Sequence, residues 1–136
     1  MTNPQKAKGD SAEREIAALI NTLTGWPVRR KLGAGRLDDA GDLDGIPQCT
    51  AQVKNFADIG RGVREALHDL EQQRVNAGTT HAVAFIRRPG GRWIAVQTVE
   101  QWATSHREAT MPAFDKMDRL TSQIHYVRIP EPDDDL

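Results

Sequence analysis

Two apolar periods alternate along this chain, and their alternation excludes most folds. Ile16, Leu19, Ile20 and Leu23 recur at i, i+3, i+4 and i+7, the stripe of one helix face. The spacing predicts a helix from residue 10 or 11 to 24, with Asp10 or Ser11 as its cap and Gly25 at its end. Val63, Ala66, Leu67 and Leu70 repeat the pattern and predict a second helix over 61–77, closed by Gly78. Elsewhere the pattern is that of strands, expected over 26–31, introduced by Pro27, over 42–46 and 50–55, over the apolar 81–87 and over 92–97, the last two joined at Pro89-Gly90-Gly91. Gly33, Gly35, Gly41, Asp38 and Asp39 make 32–41 a loop. Thr98 caps a short helix through 106, residues 107–122 read as irregular or partly helical, and 124–129 is a last strand. Helices interleaved with strands define an α/β fold, a central mixed β-sheet flanked by helices.

A chain of 136 residues matches one domain, here 1–129, followed by an acidic tail over 130–136. At this length roughly two-thirds of the unfolded surface is buried on folding, so no disulfide or metal staple is needed. The longest apolar run, 82–86, is far shorter than the ~20 residues of a spanning helix. No membrane association is expected. The start, MTNPQKAKGD, lacks the apolar core of a signal peptide, and Cys49 is the single cysteine. A reducing cytoplasm, bacterial or that of a phage-infected cell, is the expected location. His68, His81, His106 and His125 have no partners at zinc spacing. Trp93 and Trp102 read as core residues.

The net charge of -1 argues at first against a nucleic-acid partner, but its distribution argues for one. Residues 1–37 carry seven basic side chains and three acidic ones, whereas the final EPDDDL carries four acids. The body of the chain is therefore mildly basic. Two readings of the tail stand side by side: a solubilising end, or a mimic of phosphate that shields a basic groove.

Chemistry concentrates in two short segments. In Gly41-Asp42-Leu43-Asp44-Gly45, strand alternation puts Asp42 and Asp44 on one face and Leu43 on the other. In Thr50-Ala51-Gln52-Val53-Lys54, Thr50, Gln52 and Lys54 share a face, and Ala51 and Val53 turn to the core. Paired strands bring Asp42, Gln52 and Lys54 together at one end of the sheet. A carboxylate and an amide oxygen are hard donors suited to Mg²⁺. A lysine beside a bound water orients it or stabilises charge developing on a phosphate. Glu13, off the apolar stripe of the first helix, supplies a second carboxylate from the helix side.

These pieces in this order resemble the PD-(D/E)XK nuclease superfamily, most closely the archaeal-type Holliday junction resolvases and their phage relatives. The pieces are Lys8-Gly9 followed by Glu13-Arg14, then Arg29-Arg30, the Gly-rich loop, Asp42 and Gln52-Val53-Lys54. The phage relatives also carry a glutamine on the next helix and then a strand ending in basic residues, which Gln72 and AVAFIRRPGGRWIAV resemble. The likeness covers residues 6–103. One position departs: the family's Glu-x-Lys is Gln52-x-Lys54, and an amide carries no charge and cannot act as a base. Asp44 is the nearest compensating carboxylate, and Glu15 a more remote one.

The resemblance implies a restriction-endonuclease-like fold and a Mg²⁺- or Mn²⁺-dependent endonuclease that cuts branched or junction DNA. It implies that Glu13, Asp42 and Gln52 hold the metal, that Lys54 and Gln72 act with them, and that Lys8, Arg29, Arg30, Lys31 and Arg36 grip phosphates. It also implies a homodimer, since a four-way junction takes two symmetric cuts. The change at Gln52 leaves an alternative: a non-catalytic or weakened DNA-binding protein that kept the nuclease fold.

Overall fold

The computed structural model describes residues 4–31 and 41–112, with side chains from Lys8 onward. Arg36, the expected strand over 124–129 and the acidic tail lie outside the described residues. The chain divides into two compact units, residues 1–102 and 103–136, the second described only over 103–112.

The elements run α1 (Pro4–Thr24), β1 (Arg29–Arg30), β2 (Leu43–Asp44), β3 (Cys49–Lys54), α2 (Ile59–Ala77), β4 (His81–Arg88), β5 (Arg92–Val96) and α3 (Val99–Thr110). The expected α/β class with a mixed sheet is observed. Five strands lie in the order β1-β2-β3-β4-β5. All neighbours are antiparallel except β3 and β4, which are parallel and joined through α2. A parallel pair requires such a crossover, because a tight turn can only reverse the chain.

Helix α1 begins at Pro4, well before the expected cap at residue 10 or 11. Proline at the first helical position sacrifices no hydrogen bond there, and its fixed φ suits a helix. The buried face also differs from the expected stripe. Ala12, Ile16, Ala17 and Ile20 are buried, whereas Leu19 and Leu23 are 39% and 74% exposed. Alanines allow the helix axis close to the sheet, and the larger leucines rotate outward. The core cluster joins Ile16, Ala17 and Ile20 to Val28, Leu43, Ala51 and Val83.

Helix α2 covers the opposite face. Asp58 caps it by accepting from the Arg61 N–H, and Gly78 ends it at φ 69°. Ala66 and Leu70 are buried as expected. Leu67 is exposed, and Gly62 and Gln73 complete the buried stripe. A Cβ on Gly62 would lie 3.4 Å from Ile86 Cγ2 and 3.9 Å from Lys54 Cβ, which puts those two side chains on the α2 face. The period of two then sorts both central strands. Ala51, Val53, Val83 and Phe85 belong to the α1 face; Thr50, Gln52, Lys54, Ala82, Ala84 and Ile86 belong to the α2 face.

Strand β1 is two residues long, not six, because Trp26 and Pro27 precede it in irregular backbone. Trp93 packs against the core as expected, but Trp102 is 56% exposed. Among the described residues, no helix is long and apolar enough to cross a membrane.

Glu15 ties α1 to the β4–β5 hairpin. It accepts from Trp93 Nε1 at 2.9 Å and from Arg87 Nε at 3.1 Å. The Trp93 hydrogen bond, followed by that of Arg87, holds its carboxyl below the ordinary carboxylate range. A depressed folded-state pKa contributes stability above the unfolded pKa, and that stability is lost as pH falls through the folded value. Glu15→Gln is therefore expected to be less stable than the parent at pH 7. The deficit should stay under about 1 kcal/mol, since the pair is solvent-screened. Urea unfolding of both proteins should show the gap closing as the pH drops below the carboxylate range.

Candidate functional site

Asp42 is held by three hydrogen bonds at the junction of β1, β2 and β3. Its N–H donates to Ala51 O at 2.8 Å, and its carbonyl accepts from the Lys31 N–H at 2.9 Å. Its Oδ2 accepts from the Val53 N–H at 2.8 Å. The carboxylate thus sits against the peptide that links Gln52 to Val53. Gly41 makes this approach possible. Its φ is 94°, and a Cβ there would stand 2.9 Å from Thr50 Cγ2 and 3.0 Å from Ala51 O. The Gly-Asp pair is therefore built into the sheet and is more than a turn.

Gln52 is 4% exposed, and its Oε1 has no hydrogen-bond partner among the described residues. A buried carbonyl oxygen without a donor costs ~1–3 kcal/mol, which a bound cation or its water would offset. Lys54, half-buried, points its Nζ at the Phe56 ring, 5.7 Å from the centroid, and the Arg61 guanidinium lies 4.8 Å from the same ring. The structure thus brings Asp42 beside the strand that carries Gln52 and Lys54, and puts the latter two on one face.

The other expected site residues are placed elsewhere. Glu13 lies on α1, which covers the other face of the sheet, and its Oε2 accepts from Arg30 Nε at 2.9 Å. Arg30 also bridges to Asp10 at 2.8 Å, and these carboxylates hold its guanidinium more firmly protonated, the Glu13 hydrogen bond foremost. Asp44 lies 3.6 Å from Lys31 Nζ in the wall of a cavity of about 360 Å³. Cys49, Thr50 and Thr79 share that wall, at the start of β3, whereas Asp42 contacts its end. Burial pushes the Cys49 thiol up to about 11, so it is a poor nucleophile at neutral pH.

Gln72 is exposed and donates to Asn76 Oδ1 at 3.0 Å, while the glutamine that α2 buries is Gln73. Of the expected phosphate grips, Lys8 and Arg29 are exposed, and Arg30 and Lys31 are engaged with acids. The hairpin arginines Arg88 and Arg92 are also exposed; they belong to the basic strand end in AVAFIRRPGGRWIAV and stand outside the expected phosphate grips.

Among the described residues, no group of three or more His, Cys, Asp or Glu side chains could hold a metal. The donor set here is one carboxylate and one amide oxygen, and Mg²⁺ is commonly held by one or two carboxylates with waters and substrate phosphate completing its shell. In donor chemistry alone, the Asp42 carboxylate and Gln52 Oε1, which has no hydrogen-bond partner among the described residues, match that demand. Comparison with protein-family models, curated proteins and solved structures gives no match.

Proposed function

We propose that this chain is a metal-dependent DNA endonuclease with a restriction-endonuclease-like fold, acting on branched DNA in the manner of the junction resolvases it resembles. The observation that carries the reading is the Asp42 carboxylate hydrogen-bonded to the Val53 N–H, between Gln52 and Lys54, with Gln52 Oε1 buried and unpartnered among the described residues. Asp42 and Gln52 would hold Mg²⁺ or Mn²⁺. Glu13, bonded to Arg30 on the α1 face, stands apart from this pair of donors. When bound, the metal supplies Lewis acidity toward the scissile phosphate and lowers the pKa of an attacking water.

The chain's own residues supply the rest. Backbone bonds to Ala51, Lys31 and Val53 fix Asp42, so the carboxylate is oriented before any substrate arrives. Lys54 shares the strand face of Gln52, and its Nζ, on leaving the Phe56 ring, would orient water or offset negative charge developing on phosphate. Gln52 contributes an oxygen donor and no base, so proton removal falls to bulk solvent or to a second carboxylate. A homodimer would deliver the paired cuts a four-way junction requires.

The test is incubation of folded protein with labelled four-way junctions, forked DNA and linear duplex in Mg²⁺ or Mn²⁺. Cleavage of branched substrates is expected, and it should be lost with EDTA. No cleavage of any substrate would overturn the reading.

A second reading has its own observation: Glu13 is held by Arg30, and the motif glutamate is the neutral Gln52. On that reading the protein binds DNA without cutting it. Gln52→Glu separates the two. A silent parent with an active variant favours the binding protein, whereas a parent that already cuts favours the nuclease.

A further inference from the structure

The β4–β5 hairpin carries three arginines beside its turn, and the fold treats them unequally. Arg87 pairs with Trp93 across the ladder, and Arg88 pairs with Arg92. Glu15 takes up the first pair, accepting from both Arg87 and Trp93. This anchors the hairpin to α1. The second pair is two arginines directly opposite each other, both exposed, with no acidic partner among the described residues. Like charges facing each other across a ladder are destabilising. An anion seated between them would reverse the sign of that interaction.

Their position supplies the second argument. Ile86 pairs with Lys54 in the parallel register of β3 and β4 and turns to the α2 face. Arg88 is two residues further along β4, so it lies on that same face, about 7 Å past the Lys54–Ile86 pair. Arg92, its cross-strand partner, shares the face. The Arg88–Arg92 pair therefore lies beyond the end of the sheet at which β3 finishes with Lys54, on the face that Lys54 shares. Arg30 and Lys31, by contrast, are occupied by Glu13, Asp10 and Asp44.

We propose that the Arg88–Arg92 cross-strand pair is a clamp for the phosphate backbone of duplex DNA, holding one arm of the substrate beside Asp42 and Lys54. Its orientation toward the site rests on the nuclease reading above. Guanidinium groups suit the task because their planar forks bind phosphate oxygens bidentately. Contacts of this kind position the duplex without reading its sequence.

The experiment measures binding of a labelled duplex of about 30 base pairs and of a four-way junction in EDTA, across about 50 to 200 mM KCl. The parent is compared with Arg88→Gln/Arg92→Gln, with Arg88→Lys/Arg92→Lys, and with Arg29→Gln. The glutamine pair should weaken binding roughly 10-fold or more and lower the slope of log affinity against log salt by about 2. Its Tm should rise by about 1–3 °C, because the facing charges are gone. The lysine pair keeps the charge and should retain the salt slope while losing affinity. Intact DNA binding with an unchanged slope in the glutamine pair overturns the clamp and leaves the nuclease reading standing. A parent that binds no DNA at the lowest salt overturns both.

Discussion

Asp42→Asn is expected to reduce metal-dependent cleavage by roughly 100-fold or more, since loss even of a group that orients a metal ligand costs 10–100-fold. The substitution is nearly isosteric. Its Oδ can still accept from the Val53 N–H, which Asp42 Oδ2 now does at 2.8 Å, and Gly41 still admits the backbone against Thr50 and Ala51. The fold should therefore survive, and the loss should appear in cleavage and in Mn²⁺ affinity without a comparable fall in Tm. Salt-dependent DNA binding in EDTA should be unchanged or slightly tighter, because one negative charge near the phosphate is gone. Parallel measurement of cleavage, metal titration and thermal unfolding checks the three expectations together.

Gly45→Ala should be the most damaging single methyl group in the described chain. Gly45 follows β2 with φ 97°, a conformation that L side chains rarely adopt. A Cβ there would run into the Pro27 carbonyl and stand 2.9 Å from Val28 Cα, both rigid backbone. The turn cannot yield without separating Val28 from the core it shares with Ile16, Leu43 and Ala51. Strain and overpacking together should cost about 3–5 kcal/mol. A Tm at least about 10 °C lower is the expected reading. Gly9→Ala is the control: nothing lies within 4 Å of its Cβ, and the site is helical, so it should be neutral or mildly stabilising.

The sheet around the candidate site was legible because its signals are local. Alternation in Thr50-Ala51-Gln52-Val53-Lys54 assigns the faces, and Gly41 and Gly45 bracket the strand that carries Leu43. The pairing of those two segments was expected, and the Leu43–Ala51 register sets Asp42 opposite Gln52. The rotation of α1 was not legible. Ile16-Ala17 and Leu19-Ile20 offer two overlapping stripes, and only packing against Val28, Leu43 and Val83 selects the one lined with alanine.

Charge pairing was also hidden, because it depends on contacts remote in sequence. Arg30 meets Glu13 across 17 positions, and Trp93 meets Glu15 across 78. A row of Arg29, Arg30 and Lys31 reads as a phosphate grip, yet two of the three are occupied by carboxylates once the chain is folded. The choice between Gln72 and Gln73 turns on one step of helix phase, about 100°, and is finer than an apolar stripe with an ambiguous edge at Leu67 can specify.

The reading depends on a metal held at the end of β3. A crystal of the full chain soaked in Mn²⁺ and measured for anomalous scattering locates that ion directly. The account predicts a peak within about 2.0–2.5 Å of an Asp42 carboxylate oxygen and of Gln52 Oε1. A well-ordered site with no peak there at saturating Mn²⁺, or with the ion bound only elsewhere, would contradict it.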